Sequence, residues 1–416
     1  MDLREAAEIA AGLAAAPREE EIGIESALGR VLARDMAADR DFPGEYRSRW
    51  DGYALSGAAT SGASHEAPAI LAIAAAVVTA GGSAAASPGG STCFRIMTGA
   101  VLPKGTDAVI PFEDAVLSGN QLVLRAPVKR SKGVILPGAD AQAGDVLLEK
   151  GDVLTPARLA LAVAVGANKI HVYKRPRVAI LATGDELRAT GCDAGGPGVF
   201  CNNIPLLAGL VAVGGGEPIY LGIAPDDPEI ILDRLRSARA DMAVTTGGMG
   251  KGSRDFILAV WKRLGVTVHF DSLNISPGKG SALGSAGDRI FLGLPGNPWA
   301  AQIVFEEIAA PIIRRLQGAR IWRECGVMAK TAVALQRKER LYRTFRGSLT
   351  TQGETGLFIP MEETPTRALL PMLRSGLAYT IVGPGRETVP EGGTVEVKIP
   401  DFSLSAWAVL NAGRSH

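Results

Sequence analysis

Two carboxylates, Asp185 and Glu186, follow the apolar run RVAILATG that begins at residue 177. Acidic side chains at such a point can hold a hard cation, position water, or do both. Two other loops also end apolar runs with small or rigid residues, Thr245-Thr246-Gly247-Gly248 and Leu294-Pro295-Gly296-Asn297-Pro298. Glycines let backbone amides approach an anion, and helix starts add a favourable dipole. Mg²⁺ binds through one or two carboxylates plus phosphate oxygens. These loops therefore suit a phosphorylated ligand held with a hard metal. Each piece also has a plainer reading. Asp185 or Glu186 could cap a turn. Asp227-Pro228 fits an N-cap followed by a first-turn proline, which would leave Asp226 and Asp227 structural. Asp255 could serve the start of the helix after it, and LPGNP could be a rigid turn. GGMGKGS (247–253) is not a P-loop, because Gly252 follows Lys251 where Ser or Thr is needed. What favours a site is the coincidence of all these loops at one sheet edge.

The elements that would create that edge are legible from residue 176 onward. RVAILA, EPIYLGIA, MAVTT, VTVHF and RIFLGL read as strands, and between them lie helical patterns such as PEIILDRLRSA and FILAVWKRLG. Strand alternating with helix predicts a parallel sheet covered on both faces. Ligands of such sheets bind outside the carboxyl ends of the strands, so the three loops would converge on one rim. Residues 40–160 are β-rich and loop-rich, with Gly and Pro between short apolar stretches. The Ala/Gly/Ser-rich segment 71–91 says little. After about residue 320 strands and turns return, predicting a small β domain or barrel. The fold class is thus multidomain α/β: a central open α/β sheet domain, an extended β-rich N-terminal part and a small C-terminal β-barrel-like domain. At the start of the chain, Leu3, Ala6, Ala10 and Leu13 share one face of a short amphipathic helix.

Composition narrows the function classes. The 416 residues carry a net charge of +1 without a charge block, which argues against a nucleic-acid partner. Cys93, Cys192, Cys201 and Cys325 form no C-x-x-C and read as reduced thiols. His65, His171, His269 and His416 are isolated, so a metal would sit on oxygen donors rather than on nitrogen or sulfur. The N-terminal stretch carries charges where a signal peptide would be apolar. No uncharged apolar run reaches membrane-spanning length. The expectation is a cytoplasmic, soluble protein with no membrane partner.

Taken together the motifs resemble the molybdopterin molybdenumtransferases, the MoeA and gephyrin E-domain group. The blocks are SRWDGYAL (48–55), RIMTGAVLPKGTDAVIPFED (95–114), PGADAQAGD (137–145), RPRVAILATGDEL (175–187), TTGGMGKGSRDF (245–256), PGK (277–279) and GLPGNP (293–298). Their order and spacing cover about residues 2–402 and are specific, where any one block would be weak. The resemblance implies Mg²⁺-dependent insertion of molybdate, a co-substrate, into adenylylated molybdopterin, with release of AMP. It also implies an elongated multidomain homodimer whose active site lies between the α/β domain of one subunit and other domains of the second. The expected partition is a discontinuous N-terminal domain (1–42 and 128–174), an inserted β-rich domain (43–127), the α/β molybdopterin-binding domain (175–318), a C-terminal β domain (322–402) and a tail (403–416). A molybdoenzyme or a cofactor-carrier protein is the implied partner.

The resemblance carries over residue by residue. Asp51, Thr98, Asp140, Glu186 and Lys279 match catalytic positions. Thr183, Gly184, Asp185, Thr246, Gly247, Gly248, Pro277, Gly278, Pro295, Gly296, Asn297 and Pro298 match substrate-binding loops. Arg346 and Ser375 match C-terminal positions suited to oxyanion binding, while Glu186, Asp226 and Asp255 match acidic positions around the metal and diphosphate. Carboxylates would carry Mg²⁺ and position water; Lys279 and Arg346 would offset phosphate or molybdate charge. Departures concentrate in one region. Where the family has Lys-Pro-Gly-Lys-Pro, this chain has Ser276-Pro277-Gly278-Lys279-Gly280, so the first lysine is lost. Ala300 stands for a usual serine, Gly250 for a serine, Ser253 for an aspartate, Trp50 for a methionine and Ile135 for an arginine. A tetrahedral dianion needs donors and positive charge, so these losses weaken the expected molybdate pocket while the acidic set stays intact. The alternatives are a paralogue that binds or carries molybdopterin or the finished cofactor, or an enzyme for another oxyanion such as tungstate.

Overall fold

The computed structural model describes residues 1–82, 90–191, 198–248, 254–320, 326–353, 355–361 and 378–399, without the side chains of Arg254 and Asp255. The chain folds as two compact units. One comprises Met1–Arg34, Lys150–Pro156 and Lys169–His416; the other comprises Asp35–Glu149 and Ala157–Asn168.

The first unit opens with α1 (Leu3–Gly12), capped by the Asp2 side chain on the Arg4 amide. It continues through β1 (Arg177–Thr183), α2 (Asn203–Val213), β2 (Glu217–Ala224), α3 (Pro228–Ser237), β3 (Met242–Thr246), α4 (Arg254–Arg263), β4 (Thr267–Phe270), β5 (Ala282–Ala286), β6 (Arg289–Leu294), α5 (Pro298–Val304) and α6 (Ala310–Leu316). These strands form a six-stranded sheet in the order β2-β1-β3-β6-β5-β4. The first four are mutually parallel, and β5 runs antiparallel to both of its neighbours. Every β1 residue from Val178 to Thr183 is buried, as expected of a strand covered on both faces. The pleat divides the core between the two faces. Val178, Ile180, Val244 and Leu292 join a cluster with Leu207, Ile303 and Ile312, which also takes in Leu3, Ala6 and Ala10 of α1. Leu181, Ala243 and Phe291 face Ile231, Leu235, Ile257 and Trp261 of α3 and α4.

The helical pattern WAAQIVFEEIAAPIIRRLQG (299–318) folds as one continuous helical run over residues 298–316, with a single irregularity. A π-helical turn, Phe305–Ala309, separates α5 from α6. Pro311 explains it, because its ring and missing N–H are incompatible with a regular bond to the carbonyl four residues earlier. The π turn carries Glu307, which accepts from Tyr379 Oη at 2.8 Å and from Lys398 Nζ at 2.9 Å.

The predicted C-terminal barrel is present. Its strands are β7 (Gly326–Thr331), β8 (Tyr342–Gln352), β9 (Thr355–Pro360), β10 (Ala378–Val382) and β11 (Thr394–Lys398). They pair in the order β8-β9-β7-β11-β10, and a β8–β10 pairing closes the ring. Ala329, Leu349, Phe358, Ala378, Val395 and Val397 fill it. A two-residue strand, Ile275–Ser276, adds in parallel to β8, with Ile275 opposite Tyr342 and Ser276 opposite Arg343.

The second unit contains a mixed six-stranded sheet ordered Ala108–Pro111, Gly52–Leu55, Thr92–Ile96, Ala69–Val78, Gln121–Leu124 and Val116–Ser118. Period-two alternation again divides its core. Tyr53, Leu55 and Cys93 lie with one cluster, Ala54, Phe94 and Ile96 with the other. The Ala/Gly/Ser-rich segment, which says little as sequence, supplies residues 71–78 of the ten-residue strand Ala69–Val78. Burial pushes the Cys93 thiol up to about 11, consistent with an inert core thiol.

Candidate active site

In the first unit the chain leaves β1 for β2 on one side and returns for β3 on the other, so the sheet's switch point lies between β1 and β3. That is where open α/β sheets bind ligands. The three loops singled out above follow β1, β3 and β6, which are adjacent strands. A cavity of about 140 Å³ opens there, and Thr183, Glu186, Phe200, Asn203, Thr246 and Gly296 are among its walls. It is small for a whole ligand pocket, so it suits one end of a ligand with the remainder along the rim.

The rim is tied together by a residue that sequence reading missed. Asn203, 7% exposed at the start of α2, donates through Nδ2 to Thr246 Oγ1 at 2.7 Å and to the Gly296 carbonyl at 2.9 Å. Thr246 Oγ1 in turn donates to the Pro295 carbonyl at 3.1 Å. The loops after β3 and β6 are thus held by one amide. Asn203 Oδ1 and Thr183 Oγ1 are buried and have no hydrogen-bond partner among the described residues. Buried polar atoms without partners are uncommon in native proteins, and these two, beside the cavity, are able to hydrogen-bond a ligand. Gly247 shows why the loop after β3 must be glycine-rich. Its φ is 92°, and a Cβ there would lie 2.1 Å from the Thr183 carbonyl oxygen.

The acidic residues sort into structural and exposed roles. Asp227 caps α3, accepting from the Glu229 amide at 2.8 Å, with Pro228 in the first turn. The plain reading therefore holds for Asp227, while the Asp226 side chain takes no part in the cap. Asp226 lies against Asp185 and Glu186: its amide donates to Asp185 Oδ1 at 3.2 Å. Burial first, and then the Asp185 and Glu186 charges, hold the Asp226 carboxyl above the usual range. Asn297 likewise serves a cap, accepting from the Ala300 amide at 3.2 Å at the start of α5. Among the described residues no group of three or more His, Cys, Asp or Glu has the spacing to hold a metal ion by itself. The donor chemistry nevertheless fits Mg²⁺. Asp226 and Glu186 would offer hard oxygen donors whose mutual repulsion a cation would offset, and phosphate oxygens usually complete such a shell. The Asp255 side chain lies outside the described residues, and only its backbone, within α4, is placed.

The Ser276-Pro277-Gly278-Lys279 loop is built at the junction with the barrel. The Lys279 carbonyl accepts from the Leu273 amide at 3.1 Å and from Ser272 Oγ at 3.2 Å, and Ser281 Oγ donates to the Gly278 carbonyl at 2.8 Å. Gly278 has φ 122°, and a Cβ would meet Ile275 Cγ2 and Val304 Cγ2, both at 2.9 Å. The loop therefore packs on α5, while Lys279 itself is exposed. Arg346, on β8, lies over the Trp299 ring of α5 at 5.8 Å. Burial lowers its guanidinium's pKa, and its Nη1 has no partner among the described residues. Ser375 lies outside the described residues.

The other predicted residues belong to the second unit. Asp51 Oδ1 accepts from the Thr98 amide at 2.7 Å, so these two are brought together. Asp140 is exposed, and its amide donates to the Phe42 carbonyl at 2.9 Å.

Comparison with known proteins agrees with this architecture. Residues 1–166 match the family described as MoeA N-terminal region (domain I and II), and residues 179–315 match the one described as probable molybdopterin binding domain. The molybdopterin molybdenumtransferase of Nostoc sp. is 33% identical over 304 residues, 72% of this chain and 70% of that protein. That of Bacillus subtilis is 34% identical over 306 residues, 71% of this chain and 70% of its own length. This chain belongs to the molybdopterin molybdenumtransferase family. The crystal structure of a molybdopterin biosynthesis MoeA protein from Pyrococcus horikoshii superposes with a TM-score of 0.85 at 28% identity, covering 96% of this chain and 98% of that one. As a molybdopterin molybdenumtransferase the chain is an enzyme of molybdenum cofactor biosynthesis. Among the described residues no helix is long and apolar enough to cross a membrane.

Proposed function

We propose that this enzyme inserts molybdate into adenylylated molybdopterin in a Mg²⁺-dependent step that releases AMP, acting in the cytoplasm as a homodimer. The observation that carries the reading is the rim at the switch point. There, burial and the charges of Asp185 and Glu186 raise the proton affinity of Asp226, and Glu186 lines a cavity whose buried polar atoms lack partners among the described residues. In this reading Thr183 and Asn203 receive N–H or O–H groups of the pterin end. Gly184, Gly247, Gly248 and Gly296 let the backbone come close to it, with Thr246, Pro295, Asn297 and Pro298 holding the loops in place. Asp185 orients the turn through the Asp226 amide. Glu186 and Asp226, with Asp255 by resemblance, would hold the Mg²⁺, which supplies charge neutralisation at the diphosphate. Glu186 also orients the water that attacks it. Lys279 and Arg346, with Ser375 by resemblance, offset the oxyanion's charge. Asp51, Thr98 and Asp140 enter the catalytic set by resemblance, and the division into N-terminal, inserted, α/β and C-terminal domains is proposed on the same ground.

The test is AMP release from adenylylated molybdopterin with Mg²⁺, with and without molybdate. Molybdate-dependent release that falls at least about a hundredfold in Glu186→Gln supports the transferase. Ala300, buried where the family has a serine, favours a second reading in which the chain carries molybdopterin or finished cofactor to a partner. Tight cofactor binding without turnover would establish that one, and release driven by tungstate but not molybdate would change the oxyanion.

A further inference from the structure

The lysine missing at position 276 has a counterpart elsewhere in the chain. Lys338 Nζ donates to Ser276 Oγ at 3.0 Å, across 62 residues of sequence. The contact follows from the fold. Ile275–Ser276 pairs in parallel with Tyr342–Arg343 at the start of β8, and the Tyr342 amide donates to the Asn274 carbonyl at 2.7 Å. That pairing brings the chain just before β8 alongside Ser276. A backbone bond from the Gly385 amide to the Lys338 carbonyl, 3.1 Å, ties it to the barrel. Lys338 is exposed and has no carboxylate within ion-pair distance among the described residues, whereas its neighbour Glu339 is paired with Arg386. A surface lysine serving only solubility has no need of a serine hydroxyl. An ammonium placed on one, at the first position of an oxyanion loop, keeps two further N–H donors. Ser276 Oγ accepts from Lys338, so its own hydrogen remains free to donate.

We propose that Lys338 is an oxyanion-binding residue of this enzyme, supplying from the barrel the positive charge that Ser276 lacks. Ser276 and Lys338 act as one donor pair toward the tetrahedral dianion, with Lys279 at the other end of the loop. The apparent loss of a lysine is then a relocation of its charge. The inference rests on the molybdate-inserting reading above and deepens it.

The experiment compares wild type, Lys338→Met, and Lys338→Met combined with Ser276→Lys. It measures AMP release against molybdate concentration and calorimetric titration with molybdate alone. In Lys338→Met the half-saturating molybdate should rise at least about tenfold, the size expected for one charge-assisted hydrogen bond. The half-saturating Mg²⁺ should not move. Ser276→Lys should restore molybdate affinity in the double variant, which a merely structural Lys338 could not explain. If wild type turns over with molybdate and Lys338→Met has unchanged molybdate dependence, Lys338 is overturned while the transferase reading stands. If wild type shows no molybdate-dependent release, that reading fails, and the titrations still decide. Weaker molybdate binding by Lys338→Met supports the site; equal binding, or none by either protein, overturns it.

Discussion

Asp226 shows how a single side chain can be read from its electrostatic surroundings. Its neighbour Asp227 satisfies the amides of α3, so Asp226 is left without a capping task. Because burial and the Asp185 and Glu186 charges raise its folded-state pKa, the native state keeps a proton that the unfolded chain has released. Stability of the metal-free protein therefore increases as pH falls through that raised value towards about 4, the ordinary aspartate pKa, and is lower above it. Asp226→Asn removes the repulsion. Without metal at neutral pH it should melt no lower than wild type, and the two should converge near pH 4. It should also lose the Mg²⁺-induced rise in Tm and at least about tenfold in kcat/KM. Thermal scans with EDTA and with Mg²⁺, alongside AMP-release kinetics, check all three points. A variant that retains the full Mg²⁺ response would remove Asp226 from the metal set.

At the scale of elements, the π turn between α5 and α6 does more than accommodate Pro311. It turns Glu307 towards the barrel, where the carboxylate meets Lys398 and Tyr379, with the Glu307 and Lys398 side chains only 10% and 18% exposed. Trp299 of α5 packs edge-on to Tyr379 of β10 and lies under Arg346 of β8. The barrel is therefore docked on α5 by aromatic packing and a nearly buried ion pair. Removing one partner of such a pair costs far more than the pair contributes. Glu307→Ala should lower unfolding free energy by about 3 kcal/mol, measured by urea denaturation. It should also weaken molybdate response, since Arg346 and Lys338 both depend on where the barrel sits. A loss below about 0.5 kcal/mol, the level of an exposed pair, would show that aromatic packing alone holds the barrel.

Across the whole molecule, the first residues are tied to the segment just before the Ser276-Pro277-Gly278-Lys279 loop. The Asp2 carboxylate accepts from Asn274 Nδ2 at 3.0 Å, and the Met1 ammonium donates to the Ser272 carbonyl at 3.0 Å. Burial works against the Asp2 charge, but hydrogen bonds from Asn274, the Arg4 and Glu5 amides and Tyr342 outweigh it and hold its pKa below the usual range. Its contribution is complete above about pH 4 and is lost as pH falls through the depressed value, opposite in sign to Asp226. Asp2→Asn should thus lower Tm at neutral pH and match wild type in strong acid. The proposed homodimer is tested by multi-angle light scattering: a mass near twice 43.3 kDa is expected, and a monomer at micromolar concentration would remove the shared-site expectation. Some of this protein was determined by sequence alone. Strand and helix periodicity, glycines at strand ends and the Asp-Pro cap are local signals, and they placed the α/β sheet, the rim loops and the carboxylates without a partner in view. The ten-residue strand Ala69–Val78 escaped, because an alanine run has little contrast between its faces. Other features belong to tertiary structure. Asn203 bridges residues 43 and 93 positions away, Arg346 meets Trp299 only because the barrel docks on α5, and Lys338 reaches Ser276 only because a two-residue strand joins β8. Periodicity reports which way a side chain faces on its own element. Which distant residue meets it depends on how the elements pack, and no local pattern encodes that.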